Sequence, residues 1–513
     1  MRSDRVIIIG AGLGGLAAAI DLAAHGLDVL VLERAAQAGG KLRRVDIGGA
    51  SIDAGPTVFT MRPVFEALFA KAGARLSDHL TLQRATTLAR HGWPDGSRLD
   101  LFADIDRSAD AIATFAGPRE AEGYRRFVAD GRRIYETLDA PFIQSAKPSL
   151  PGLVTRVAAA TPRNLWCIQP YSSLWRKLGS YFRDPRLRQL FGRYSTYCGS
   201  SPFHAPATLM LIAHVEQQGV WLVEGGMHKI AEALVEVARG QGCEIRPLTH
   251  VEEILVEDGA ARAVRLATGE RIEADAIICN ADVNAAASGA FGPGARKAAS
   301  IVPPRRRSLS AMTWAMAARA SGFPLLRHTV LFSDDYPAEF AAIYRHQRVP
   351  LRPTVYVCAQ DRGDADQPPI GEPERLLCIV NAPALGDRLT YDEREIARCA
   401  ASTFGALSRC GLQIERQPEM TVTTSPADFH QAFPATGGAL YGPASHGWQA
   451  SFRRAPARSR IAGLYFAGGS THPGSGLPMA ALSGRLAAEA LRTDLALRKR
   501  FHPVAMPGGM STA

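Results

Sequence analysis

A chain of 513 residues with 46% hydrophobic and 21% charged residues is too long for one simple core, so two domains are expected and wholesale disorder is excluded. Its formal charge of +10 and pI of about 9.3 suit an anionic partner. No helix-turn-helix, zinc-finger or single-strand-binding motif accompanies that charge, so nucleic acid is not expected and an anionic membrane surface fits better. No segment offers about 20 uninterrupted apolar residues, so no spanning helix is expected, and the apolar run after Arg5 meets glycines too soon for a secretion signal. The eight cysteines have no CxxC spacing and no histidine partners, which predicts reduced, buried thiols in a cytosolic protein and no metal site.

Val6 to Ile9 is a short β-branched run, as expected of a parallel strand buried on both faces. Gly10-Ala11-Gly12-Leu13-Gly14-Gly15 follows at once, and Gly10, Gly12 and Gly15 fit G-x-G-x-x-G. Leu16 to Ala24 predicts a helix stopped by Gly26, and Val29 to Leu32 a second strand ending at Glu33. In this arrangement Gly10 allows a tight turn, Gly12 admits backbone to a pyrophosphate and Gly15 lets the helix pack against the strand. The helix N-terminus offers free N–H groups to phosphates, and Glu33 stands where an acid accepts ribose hydroxyls and repels a 2′-phosphate. A dinucleotide site is therefore expected here.

Further along come Gly39-Gly40-Lys41, then Arg43 and Arg44, which are read equally well as solvated charges. Asp53-Ala54-Gly55-Pro56-Thr57 predicts a rigid turn. Pro162 to Asp184 interleaves Trp166, Tyr171, Trp175, Tyr181 and Phe182 with basic residues; it suits either a membrane headgroup layer or a helical lid over a substrate channel. After Gly225-Gly226-Met227, His228 to Arg239 has helical periodicity. Cys243–Arg246, Val251–Val256, Ala263–Leu266 and Ala276–Cys279 follow as short strands, and then come Asn280 and Asp282, the latter a candidate helix N-cap. Near the C-terminus, Gly463 to Phe466 predicts a strand. A loop, Ala467-Gly468-Gly469-Ser470-Thr471-His472-Pro473-Gly474-Ser475-Gly476-Leu477-Pro478-Met479, leads from it into a helix from about Ala480.

Taken together, these blocks resemble the phytoene-desaturase-type carotenoid oxidoreductases, in the family's order and over nearly the whole chain. The segment Leu477 to Arg485 and the stretch Trp221 to Met227 are most similar to the hydroxycarotenoid (methoxyneurosporene-type) 3,4-desaturases. Where many flavoproteins carry Gly-Asp, this chain has Gly469-Ser470, a departure shared with carotenoid desaturases. The resemblance implies an α/β fold: a Rossmann-like FAD-binding domain (about 1–75, 220–290 and 455–495) with an inserted α+β substrate domain (76–219 and 291–454) and a tail at 496–513. It also implies non-covalent FAD, held by Gly10, Gly12, Gly14, Gly15, Glu33, Gly40, Lys41, Gly55, Pro56, Val251, Asn280, Gly469, Ser470, Leu477, Pro478 and Met479. In that site Lys41 stands beside the pyrophosphate, the backbone at Val251 lines the adenine, and a helix starting near Met479 aims its dipole at the flavin's pyrimidine edge.

The implied activity is desaturation at C-3,4 of an acyclic 1-hydroxy- or 1-methoxycarotenoid, on the cytoplasmic side of the inner membrane, with oxygen or a quinone as acceptor. Little acid–base work is needed, and no catalytic base is named. His204, Glu224 and His472 stand near motifs and are expected to be structural. The alternatives are a phytoene desaturase, isomerase or ketolase of the same family, an amine oxidase, and a non-enzymatic prenyl-binding protein. No lysine lies between Lys297 and Lys499, where amine oxidases usually carry a flavin-facing one.

Overall fold

The computed structural model describes residues 3–146, 149–160, 171–367 and 370–501. Its first layer is a five-stranded parallel sheet. Strands β1 (Arg5–Ile9) and β2 (Asp28–Leu32) flank helix α1 (Leu13–Ala23). Much later the chain returns through α2 (Lys229–Gly240), β3 (Glu244–Arg246) and β4 (Ala276–Cys279), and again through β5 (Leu464–Phe466) and α3 (Leu477–Phe501). The strand order is β3-β2-β1-β4-β5, with Val6 level with Val29 and Ala276.

The unbroken apolar run of β1 has a direct cause. Val6 and Ile8 pack into a core shared with α1, α2 and α3, while Ile7 and Ile9 enter a second core with Val251, Ile254 and Val264 of an antiparallel three-stranded layer. Both faces are covered from Val6 to Ile9, so those four positions are apolar, and only Arg5 at the strand's start is polar. Helices α1 and α3 cross closely at two glycines: a Cβ on Gly484 would lie 2.1 Å from the carbonyl oxygen of Gly14.

The second layer is a mixed sheet of eight strands. Its order is Leu412–Glu415, Ser310–Gly322, Glu374–Ala382, Val355–Ala359, His328–Leu331, Thr87–Gly92 and Arg98–Phe102, and Thr421–Thr424 also pairs with Ser310–Gly322. Only the pairing of His328–Leu331 with Thr87–Gly92 is parallel in it. Met312, Trp314 and Met316 of the long strand pack with Cys399, Ala406 and Leu407 of the helix Glu393–Arg409. Its alternate residues Ala311 and Thr313 face the cavity described below.

A helical layer closes the cavity from the other side, built on Phe127, Phe182 and Phe191, all fully buried. The α/β class is as expected.

Three boundaries differ from expectation. Helix α1 starts inside the glycine turn at Leu13, where Gly14 and Gly15 have no room for a Cβ; α3 starts at Leu477, and it runs to Phe501, so 496–501 is helix and not tail. The described part of Pro162 to Asp184 has a buried and an exposed side: Leu174, Leu178, Tyr181 and Phe182 are buried in the helical layer, while Tyr171, Arg176 and Arg183 are exposed, Tyr171 at 82%. Residues 161–170, Trp166 among them, lie outside the described residues.

Candidate functional site: a glycine-lined cradle opening into an apolar chamber

The turn after β1 is built to exclude side chains. Gly10 has φ +95° and its N–H donates to Leu32 O at 2.8 Å. A Cβ on Gly15 would stand 2.2 Å from Gly10 O, and one on Gly14 would meet Asn280 Oδ1 at 2.6 Å and the Gly468 amide nitrogen at 2.7 Å. Gly12 is the N-cap of α1 and supplies no side-chain cap, so the first-turn N–H groups are left for an anion. Asn280 lies under this turn and donates from Nδ2 to Gly10 O at 3.1 Å.

Glu33 is buried at the end of β2. Its Oε2 accepts the Ala11 amide at 2.7 Å and its Oε1 the Ala35 amide at 2.8 Å. Two N–H donors fix the carboxylate and leave lone pairs for a ribose. Val251 lines the same end, two residues after Thr249, whose amide donates to Glu33 O at 2.7 Å.

Gly39 and Gly40 lie against the turn: Gly39 donates to Ala11 O at 2.8 Å, and Gly40 has φ +60°. Lys41 lines the cavity, but its ammonium donates to Leu440 O at 2.6 Å and lies 5.3 Å from the Phe433 ring centroid. Burial pushes its pKa down and Asp282 opposes that. A Cβ on Gly55 would lie 2.0 Å from Lys41 O, which locks the Gly55-Pro56 turn onto the preceding loop. Arg43 donates to Thr424 Oγ1 at 2.9 Å, and Arg44 faces Glu232 at 3.5 Å.

At the other end, Gly469, Ser470 and the first turn of α3 (Leu477, Pro478 and Met479) line the cavity. Ser470 Oγ accepts the Val283 amide at 3.0 Å, so in place of an acid it anchors the helix Val283–Ser288, which Asp282 caps by accepting the Asn284 amide at 2.9 Å.

Of the three residues near motifs, none lines the cavity. His204 and Glu224 are exposed. His472 is buried and its Nε2–H donates to Phe142 O at 3.0 Å; burial pushes its pKa down to about 4.

Several residues brace the site without having been read from the sequence as part of it. Asp53 accepts the Met227 and His228 amides at 2.6 and 3.1 Å, and Gln360 exchanges two hydrogen bonds with the Asp53 backbone. Ser483 accepts the Gly468 amide at 2.7 Å. Arg454 donates to the carbonyls of Gly469 and Pro443, both at 3.0 Å, and of Tyr441 at 3.3 Å. Each acts across a long sequence separation. Asp53 and Ser483 lie inside segments that the sequence singled out; Gln360 and Arg454 do not.

Gly10, Gly12, Gly14, Glu33, Val251, Lys41, Gly55, Arg454, Gly469, Ser470 and the first turn of α3 line one cavity of about 2090 Å³. That is about twice the upper end of the roughly 300–1,000 Å³ common for a single-ligand pocket. Beyond the glycine cradle it continues into a chamber walled by Leu138, Phe142, Ile143, Leu209, Ile212 and Tyr336.

A parallel sheet with a glycine turn, joined through one cavity to an apolar chamber under a mixed sheet, defines a dinucleotide-dependent oxidoreductase class. This chain belongs to the flavin containing amine oxidoreductase family, whose profile matches residues 13–492. It is 53% identical over 515 aligned residues to the hydroxyneurosporene desaturase of Rubrivivax gelatinosus, covering 100% of this chain and 98% of that one. It is 45% identical to the hydroxyneurosporene desaturase of Cereibacter sphaeroides (97% and 99% covered) and 31% identical to a 4,4'-diapolycopene oxygenase of Methylomonas (96% and 99%). Among solved structures it shares the fold of putrescine oxidase, with a TM-score of 0.57 at 15% identity over 96% of this chain and 99% of that one. Cyclohexylamine oxidase from Brevibacterium oxydans gives 0.56 at 16%, over 96% and 100%.

Proposed function

We propose that the chain is an FAD-dependent desaturase of carotenoid biosynthesis that introduces a C-3,4 double bond into an acyclic 1-hydroxy- or 1-methoxycarotenoid. The observation that carries this reading is the single cavity: a nucleotide cradle and an apolar chamber open into each other, in a chain 53% identical over its full length to a hydroxyneurosporene desaturase.

The residues fit non-covalent FAD. Gly10, Gly12, Gly14 and Gly15 leave room for a pyrophosphate at the N-terminus of α1, Glu33 holds the ribose and Val251 flanks the adenine. Gly40, Lys41, Gly55, Pro56, Asn280, Gly469, Ser470, Leu477, Pro478 and Met479 surround the rest. When bound, the flavin supplies a hydride acceptor.

Removing two hydrogens from adjacent carbons of a polyene then asks little of the protein. A hydride leaves first, the resulting allylic cation is delocalised over the conjugated chain, and the neighbouring C–H becomes acidic enough to give up its proton. The chain's contribution is orientation and dryness. The apolar walls hold the polyene in register and exclude water that would trap the cation.

The division into 1–75, 220–290 and 455–495 against 76–219 and 291–454 is supported by the two sheets, each assembled from separated segments. A peripheral position on the cytoplasmic face of the inner membrane is supported by the cavity-lining Tyr171 and Val154, exposed at 82% and 43%. No helix among the described residues is long and apolar enough to cross a bilayer. Oxygen or a quinone is the proposed acceptor.

Anaerobic mixing of the FAD-loaded protein with 1-hydroxyneurosporene tests the reading. Flavin bleaching and a red-shifted polyene spectrum are expected, with little or no change on adding phytoene. Efficient conversion of phytoene, with the hydroxylated substrate untouched, overturns the substrate assignment.

A further inference from the structure

The chamber wall is largely apolar, and it carries a charged residue, Arg193. The 3-10 turn Arg193–Cys198 places Arg193 on the wall, where a single protein hydrogen bond among the described residues holds its guanidinium: Nη1 donates to Tyr197 OH at 3.0 Å. No carboxylate among the described residues comes within 4.0 Å of the guanidinium. Tyr197 in turn bonds to Glu216, which also accepts the Tyr194 hydroxyl at 2.7 Å. Glu216 comes from the helix Leu211–Gln218, is buried, and lines the same wall.

A guanidinium has five N–H donors, and leaving charged donors unmatched in an apolar space is costly. A scaffold arginine in this fold looks different: Arg362 is locked to Glu374 by two hydrogen bonds of 2.8 and 2.7 Å. Arg193 lines the cavity with its remaining donors unmatched by protein among the described residues.

Position matters as much as chemistry. The Arg193 guanidinium lies 5.5 Å from the Tyr356 ring centroid, and Tyr356 OH donates to Thr57 Oγ1 at 2.7 Å. Thr57 directly follows Gly55-Pro56, the turn that flanks the flavin site. In a 1-oxygenated substrate the oxygen sits on C-1, only two carbons from C-3. A group that binds it must therefore stand beside the reacting bond, not at the far end of the chamber.

We infer that Arg193, backed by Tyr197 and Glu216, binds the C-1 oxygen of the carotenoid end group and sets the selectivity for oxygenated substrates. This rests on the desaturase reading above. Arg193 donates to the oxygen of an alcohol or an ether alike, and Glu216 is placed to accept from an alcohol.

The test measures kcat/KM for 1-hydroxyneurosporene, for its methyl ether and for 1,2-dihydroneurosporene, the same polyene without the oxygen. Wild-type protein, Arg193→Met and Arg193→Lys are compared, with FAD content and thermal unfolding as checks on folding. Wild type is expected to prefer both oxygenated substrates by about tenfold to hundredfold, the range for a hydrogen bond to a charged group. Arg193→Met should bring the three substrates close to parity, and Arg193→Lys should restore part of the preference.

Equal loss on all three substrates in a folded, FAD-loaded Arg193→Met protein overturns the inference alone, because the arginine is then structural. Equal wild-type rates on the three substrates do the same without any variant. Failure of wild type to turn over the hydroxylated substrate overturns the desaturase reading, and the inference with it.

Discussion

His228 Nδ1 lies 2.9 Å from Asp53 Oδ1, which ties the first residue before α2 to the end of the strand that leads into Gly55-Pro56. The same carboxylate accepts the amides of Met227 and His228, and a Cβ on Gly226 would stand 2.5 Å from Asp53 Oδ2. One buried acid thus joins two segments, about 175 residues apart, that both reach the cavity.

This clamp gives a stability prediction with a sign. Burial works to raise the Asp53 pKa, but the hydrogen bonds from the His228 side chain and from the Met227 and His228 amides together hold it below the usual carboxylate value. A depressed folded-state pKa contributes stability above the unfolded value of about 3.9, and that stability is lost as pH falls through the folded value. Asp53→Asn should therefore lower the unfolding temperature at neutral pH, through a loss of about 1–3 kcal/mol. The gap to wild type should narrow below about pH 4. A gap that stays constant down to the acid limit, in matched thermal unfolding series, contradicts the clamp.

Glu33→Ala should weaken FAD binding by about tenfold to hundredfold, the value of a charge-assisted ribose contact. Glu33 also fixes the Ala11 and Ala35 amides, so Glu33→Gln separates the two roles: it keeps one acceptor and loses the charge. Titration of apoprotein by flavin fluorescence quenching gives both affinities. Unchanged affinity in the Ala variant means that the acid serves only the turn.

The crossing of α1 and α3 leaves no room for a methyl group. Gly484→Ala puts its Cβ 2.1 Å from Gly14 O and 3.0 Å from the Ala18 amide nitrogen, both backbone atoms. The helices must separate, at about 1–3 kcal/mol for overpacking of this kind. The expected outcome is a lower unfolding temperature together with weaker FAD retention, since Gly14 belongs to the cradle. Gly240→Ala, where nothing lies within 4 Å, is the control expected to change neither.

All the colour should leave the protein on acid precipitation. No cysteine follows Cys410, and among the described cysteines only Cys198 lines the cavity. Burial pushes its thiol up, so it is not the thiolate that a thioether link requires. Yellow colour retained on the denatured pellet contradicts non-covalent binding.

The cradle was legible because its chemistry is local. Gly10 to Gly15, then Glu33, fall within one strand–helix–strand unit whose period and spacing are visible in a single stretch, and the structure brings Val251, Asn280, Ser470 and Leu477 to the same cavity. The chamber was not legible, because its wall is assembled from residues with no pattern of their own. Arg193, Tyr356 and Thr313 come from three separate elements, and only tertiary packing makes them neighbours. The aromatic stretch around Trp175 to Phe182 was ambiguous for a related reason. Basic residues beside rings suit a membrane surface equally well as a helix with one buried face, and here Leu174, Leu178 and Phe182 are buried while Arg176 and Arg183 stay exposed. Lys41 shows the same limit: its place in the chain is that of a phosphate ligand, yet its ammonium reaches Leu440 O.

Arg454 carries the last prediction. Its guanidinium is buried and donates only to carbonyls, those of Tyr441, Pro443 and Gly469. Burial pushes its pKa down, with Asp282 among the opposing influences, but an arginine stays protonated in any such site. A fixed positive charge therefore sits behind the Gly469-Ser470 loop, and in the proposed FAD site a reduced, anionic flavin would gain more from it than an oxidised neutral one. If that differential is worth about 1.5–3 kcal/mol, Arg454→Met should lower the two-electron midpoint potential of the bound flavin by about 30–60 mV. Arg454→Lys keeps the charge but cannot span three carbonyls, so it should hold most of the potential while loosening the loop and raising the FAD dissociation constant. Spectroscopic redox titration of both proteins separates the two effects. Equal potentials in wild type and Arg454→Met would leave the arginine only its role as a brace for the loop.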